Sequence, residues 1–122
     1  MTTEKLEKLN TAGYVYLSTV EKGTLMLVED GFHFIFSQTT FGKPLYFTWD
    51  SIARVEAHVS WSGKIGQEFV LVFYAQPPIR FSTKETGKVL KFISKQIGDE
   101  KMIRQTTLAT SLTRPFRRQN KN

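Results

Sequence analysis

The chain has 122 residues, no cysteine and a formal charge of +6. A domain of that length buries one core and not two, and the missing thiols exclude disulfides and thiolate metal sites, which fits a reducing compartment. The charge is uneven: residues 1–100 hold eleven Lys/Arg and eleven Asp/Glu, while residues 101–122 hold six Lys/Arg and no acid, so an acidic partner is expected to meet mainly Lys101, Arg104, Arg114, Arg117, Arg118 and Lys121.

Residues 1–10 mix charges and lack the apolar run of a secretory signal. No stretch approaches the ~20 apolar residues that span a bilayer. The expected location is therefore the cytoplasm, with any membrane contact peripheral.

From Gly13 onward the pattern is that of short antiparallel strands with one buried face. Gly13 to Thr19 reads as a first strand, with Val15 and Leu17 sharing a face. Glu21-Lys22-Gly23 reads as the turn into a second strand, Thr24 to Val28. Asp30-Gly31 is a two-residue hairpin signal, and it leads into a third strand, Phe32 to Ser37, with Phe32, Phe34 and Phe36 on one face. Pro44 opens a fourth strand, Leu45 to Trp49. After Asp50-Ser51 the alternation from Arg54 places Val55, Ala57, Val59 and Trp61 inward, and Arg54, Glu56, His58 and Ser60 outward.

Ser62-Gly63-Lys64-Ile65-Gly66 is a loop. Phe69 to Tyr74 is apolar throughout, as expected of a central strand covered on both faces, and Ile79 to Phe81 is a short seventh strand. Ser82 with Glu85 forms the pattern of a capping box, and Val89, Leu90, Ile93 and Ile97 then form a core-facing helical stripe that Gly98 ends. Lys84, Lys88, Lys91 and Lys95 fall on the opposite side of that helix as a ridge. Residues 99–107 have no clear pattern, and 104–122 read as a basic, flexible tail. The domain is expected over 11–103, preceded by an arm over 1–10.

About seven short strands and one C-terminal amphipathic helix predict a mainly β fold, a curved antiparallel sheet or small barrel capped by the helix. Pleckstrin-homology-like domains have this order of elements, and the step to that class is an analogy at the level of fold.

Signals for catalysis are weak. There is no P-loop and no dinucleotide fingerprint. His33 and His58 lie on separate strands, too few and too far apart for a metal site or for an activated nucleophile. The chain is expected not to be an enzyme and to carry no cofactor or metal.

Several runs recur together in order: Gly23-Thr24-Leu25-Met26-Leu27-Val28, Phe47-Thr48-Trp49-Asp50-Ser51-Ile52, the Gly63-Lys64 loop, Phe81-Ser82-Thr83-Lys84-Glu85 before Lys88-Val89-Leu90, and Glu100-Lys101-Met102-Ile103-Arg104. In these the chain resembles the ManO-type family, a domain of unknown function found beside mannose-class phosphotransferase (PTS) permease genes. It departs from that family after Gly63-Lys64, where Ile65-Gly66-Gln67-Glu68 replaces aromatic and basic residues.

The resemblance implies a non-enzymatic accessory or regulatory protein of mannose-class sugar uptake, bound to the permease's membrane subunits at the cytoplasmic face. The partner-binding residues expected on these grounds are Trp61, Lys64, Lys84, Lys88, Lys91, Lys95, Arg104, Arg114, Arg117 and Arg118. The competing readings are an anionic lipid surface, or nucleic acid stacked on outward aromatics. Exposed strand edges leave self-association open.

Overall fold

The computed structural model describes residues 8–38, 42–60 and 62–105. Eight strands, β1 (Leu9–Tyr16), β2 (Val20–Val28), β3 (Gly31–Phe36), β4 (Leu45–Thr48), β5 (Ile52–Val59), β6 (Ile65–Phe73), β7 (Ile79–Thr83) and β8 (Met102–Gln105), accompany one helix, α1 (Thr86–Ile97). They form a single sheet in the order β4-β3-β2-β1-β7-β6-β5-β8. All neighbours are antiparallel except β5 and β8, which run parallel.

Aromatic contacts show that this sheet curls. With strands about 4.8 Å apart, β3 and β6 would stand about 19 Å apart and β4 and β6 about 24 Å apart if the sheet were flat. Instead the rings of Phe32 on β3 and Phe69 on β6 lie 6.3 Å apart, and those of Phe47 on β4 and Phe73 on β6 lie 4.7 Å apart. The concave face closes on one core in which Phe32, Phe34, Phe69 and Phe81 are fully buried.

Glycine makes room at the bend. Gly13 and Gly23 face each other across β1 and β2. A Cβ at Gly13 would stand 2.6 Å from Leu25 Cδ1, one at Gly23 would stand 2.6 Å from Phe34 Cζ, and each would press on a carbonyl of the adjoining strand. Glycine inside a strand marks such a close approach. The expected turn at Glu21-Lys22-Gly23 is therefore corrected: Gly23 is a bend residue inside β2, and the chain reverses at Leu17–Thr19, between the paired Tyr16 and Val20. Leu17, expected to share the inward face of Val15, stands in that reversal and is exposed.

The second hairpin differs by one residue. Val28 pairs with Gly31, so Glu29-Asp30 make the turn and Gly31 already belongs to β3. At the end of β4, Trp49 turns into a 3₁₀ turn, Trp49–Ser51, where its Nε1 donates to the Val28 carbonyl at 3.0 Å and its ring lies 6.1 Å from that of Phe92.

The helix closes one end of the curl with Thr86, Val89, Leu90, Phe92 and Ile93 buried. The expected capping box does not form. Pairing of β7 with β1 continues to Thr83 opposite Gly13, so Ser82 is held in extended backbone, where its hydroxyl accepts from the Tyr16 phenol at 3.3 Å. Thr83 takes over the turn: its Oγ1 accepts from the Glu85 N–H at 3.2 Å and donates to the Ala12 carbonyl at 2.9 Å. Gly98 ends the helix as expected, at φ 102°, a conformation that L side chains avoid.

Residues 99–105 acquire structure that their sequence pattern did not show. Asp99–Lys101 is a 3₁₀ turn, and β8 adds to the sheet beside β5. The central strand reading of Phe69 to Tyr74 holds for β6: Phe69, Leu71 and Phe73 join the main core, and Val70 and Val72 form a second buried pair on the other face. Tyr74 lies beyond the strand and is exposed. Glu56, expected outward in solvent, is only 1% exposed, with its Oε2 3.2 Å from Arg54 Nε.

Candidate docking surface

The helix places its charges by simple geometry. At 100° per residue Lys88, Lys91 and Lys95 fall within about 60° of one another, all three are exposed, and residues 86–97 contain no acid. Glu85, just before the helix, stands 3.6 Å from Lys88 Nζ.

A cleft opens along each border of the ridge. Phe92 lies about 40° from Lys88 on one side, and there Lys8, Leu9, Lys88, Lys91, Phe92 and Lys95 line a notch of about 330 Å³. Four lysines thus share this notch with the half-buried Leu9 and the 8% of Phe92 that is exposed. On the other border, Leu90 and Lys91 meet Ala57, Ile65, Met102 and Arg104 along a groove of about 460 Å³ between α1 and the β5–β8 edge. Lys91 belongs to both.

The expected site residues are distributed as follows. Lys88, Lys91 and Lys95 share the helix face, and Arg104 on β8 reaches the adjoining groove. Lys64 is exposed in the β5–β6 hairpin, where its N–H donates to Ser60 Oγ at 3.1 Å, and its neighbour Ile65 lines the same groove. Lys84 separates from the ridge: it precedes the helix and lines a different cleft, with Tyr14, Tyr16 and Lys22. Trp61, Arg114, Arg117 and Arg118 lie outside the described residues.

Lys8, Leu9 and Phe92 were missed. The first two fall in the stretch read as an arm, because no alternation starts before Gly13. Phe92 falls just outside the strict apolar stripe, although its place between stripe and lysines was legible on a helical wheel.

The histidines do not converge. His33 Nε2 is 3.4 Å from Asp30 Oδ1, its ring packs on Tyr46 at 4.6 Å, and His58 lies on β5. Among the described residues no group of three or more His, Cys, Asp or Glu is placed to hold a metal ion. No helix among them is long and apolar enough to cross a membrane.

Comparison with solved structures gives the fold its class. The chain superimposes with TM-score 0.59 and 14% identity on a chain from the structure of the Spt16D Pob3N heterodimer, covering 85% of this chain and 56% of that one. The chain thus spans little more than half the length of that neighbour, and the likeness shows a pleckstrin-homology-like fold. No curated protein matches the sequence. Residues 2–116 match the family described as Domain of unknown function (DUF956), and the chain belongs to that family.

Proposed function

We propose that this protein is a non-enzymatic docking module that binds an acidic protein surface through the outer face of α1. The observation that carries the reading is the notch itself: Lys8, Lys88, Lys91 and Lys95 around Leu9 and Phe92. Amines in a row attract and orient an acidic partner, and desolvated apolar area beside them supplies affinity that charge alone does not. Arg104 and Lys64 extend the surface past the second groove.

The absence of a catalytic role is part of the same proposal. Neither imidazole shares a hydrogen bond with a hydroxyl among the described residues, so the arrangement that activates a serine or threonine nucleophile is not assembled there.

The resemblance to the ManO-type family supplies the partner. In this proposal the protein serves as an accessory or regulatory subunit of a mannose-class sugar permease and meets its membrane subunits at the cytoplasmic face. Affinity purification of the tagged chain from detergent-solubilised host membranes tests it. Permease subunits are expected in the retained fraction, and Lys88→Gln/Lys91→Gln/Lys95→Gln is expected to remove them. Retention of nucleic acid alone, or of nothing, would refute the reading.

A further inference from the structure

A cleft larger in volume than either the notch or the groove lies away from the helix ridge, where β7 leaves β1. β1 is eight residues long, but β7 pairs only with its second half, Gly13 to Tyr16. Beside Thr11 and Ala12 the chain turns instead into α1, and the gap opens as a cleft of about 570 Å³. Its wall is set by register. Lys22 on β2, Tyr14 on β1 and Ser82 on β7 are successive cross-strand partners, so all three side chains rise from the same face of the sheet.

Two lysines and one carboxylate line this cleft. Lys22 and Lys84 are both exposed on its walls, and neither has an acidic partner among the described residues. The lining carboxylate, Glu85, is already beside Lys88 at 3.6 Å. Glu68, next to Ser82 across β6 and β7, is held by Arg80 at 2.8 Å.

Ser82 is 7% exposed and accepts from Tyr16, which leaves its own O–H to donate. The Tyr14 ring, 43% exposed, presents an apolar plane and a phenol to the same space. Two ammonium groups, a buried hydroxyl and an aromatic wall are the parts that recognise a dianion attached to a small ring.

We propose that this β1–β7 cleft is a binding site for a phosphate monoester, held at its phosphoryl group by Lys22, Lys84 and Ser82 and along its body by Tyr14. A free phosphorylated small molecule and a phosphorylated lipid headgroup share that chemistry. The site is separate from the lysine notch, so a ligand here and a protein on α1 can be present together.

Amide chemical-shift titration of the full chain with inorganic phosphate and with phenyl phosphate tests the site. Saturable shifts are expected at residues 11–14, 22 and 82–85, with phenyl phosphate the tighter. Lys22→Gln/Lys84→Gln is expected to weaken binding by about tenfold or more, whereas Lys91→Gln/Lys95→Gln, which leaves the Lys88 partner of Glu85 in place, leaves it unchanged. Flotation with vesicles containing phosphatidylinositol 4-phosphate or phosphatidylglycerol separates the sources. Capture only by the former, lost in the Lys22/Lys84 variant, assigns the headgroup. The proposal is overturned if neither soluble probe saturates and neither vesicle needs Lys22 and Lys84, or if the double variant binds both probes as the native chain does.

Discussion

Along β1 and β7 alternate residues belong to two different environments. Val15 and Phe81, paired across the strands, are fully buried. Their neighbours Tyr14, Tyr16, Arg80 and Ser82 face outward and exchange polar contacts, with Arg80 lying 5.8 Å over the Tyr16 ring and Tyr16 donating to Ser82. The inward set fixes how tightly the sheet curls, because ring must meet ring across four or five strands. The outward set is free of that constraint, so its chemistry can be spent on recognition.

The first way to break this division is to empty an inward position. Phe81 sits at 4.9 Å from Phe32, 5.9 Å from Phe34 and 5.7 Å from Phe69, ring to ring. Phe81→Ala removes the piece common to three rings from two other strands, β3 and β6, and is expected to destabilise the fold by about 3–5 kcal/mol, read as a lower denaturant midpoint.

A smaller effect is expected from adding atoms where the strands are closest. Gly23→Ala brings a methyl against Phe34 and the Ile35 carbonyl, and the opposing Gly13 leaves β1 no slack to move into. The expected cost is about 1–3 kcal/mol. An unchanged thermal midpoint would show that the bend does not depend on glycine at this pair.

The inward half of this division was legible in the sequence, since Phe32, Phe34 and Phe36 on one face and the stripe of Val89, Leu90 and Ile93 follow from period and burial. What local pattern misjudged are features decided by tertiary pairing. Gly23 looks like a turn residue until Gly13 is placed opposite it. Ser82 and Glu85 look like a cap until β7 is known to run on to Thr83. Residues 102–105 carry no alternation of their own, and become β8 because β5 offers a free edge.

The ridge of Lys88, Lys91 and Lys95 was legible, since helical spacing alone determines it. Its setting was not, because Leu9 reaches the helix only through the curl of the sheet. The phosphate cleft was hidden for the same reason: Lys22, Tyr14 and Lys84 are brought together by register across three elements.

The smallest expected stability change sharpens the comparison most. Lys88→Gln/Lys91→Gln/Lys95→Gln alters three exposed positions, and glutamine keeps nearly the helix propensity of lysine. Each substitution relieves repulsion within the row, and the pair of Glu85 with Lys88 has its side chains 43% and 70% exposed, where screening by water leaves little net attraction. The summed effect on stability is expected to stay within about 0.5 kcal/mol of zero, measured by denaturant unfolding. If the same variant loses its partner, the outer face of α1 serves recognition and not the fold. If instead it loses more than about 1 kcal/mol of stability, the lysines help hold α1 over the open end of the curl, and loss of binding by this variant no longer identifies a docking surface.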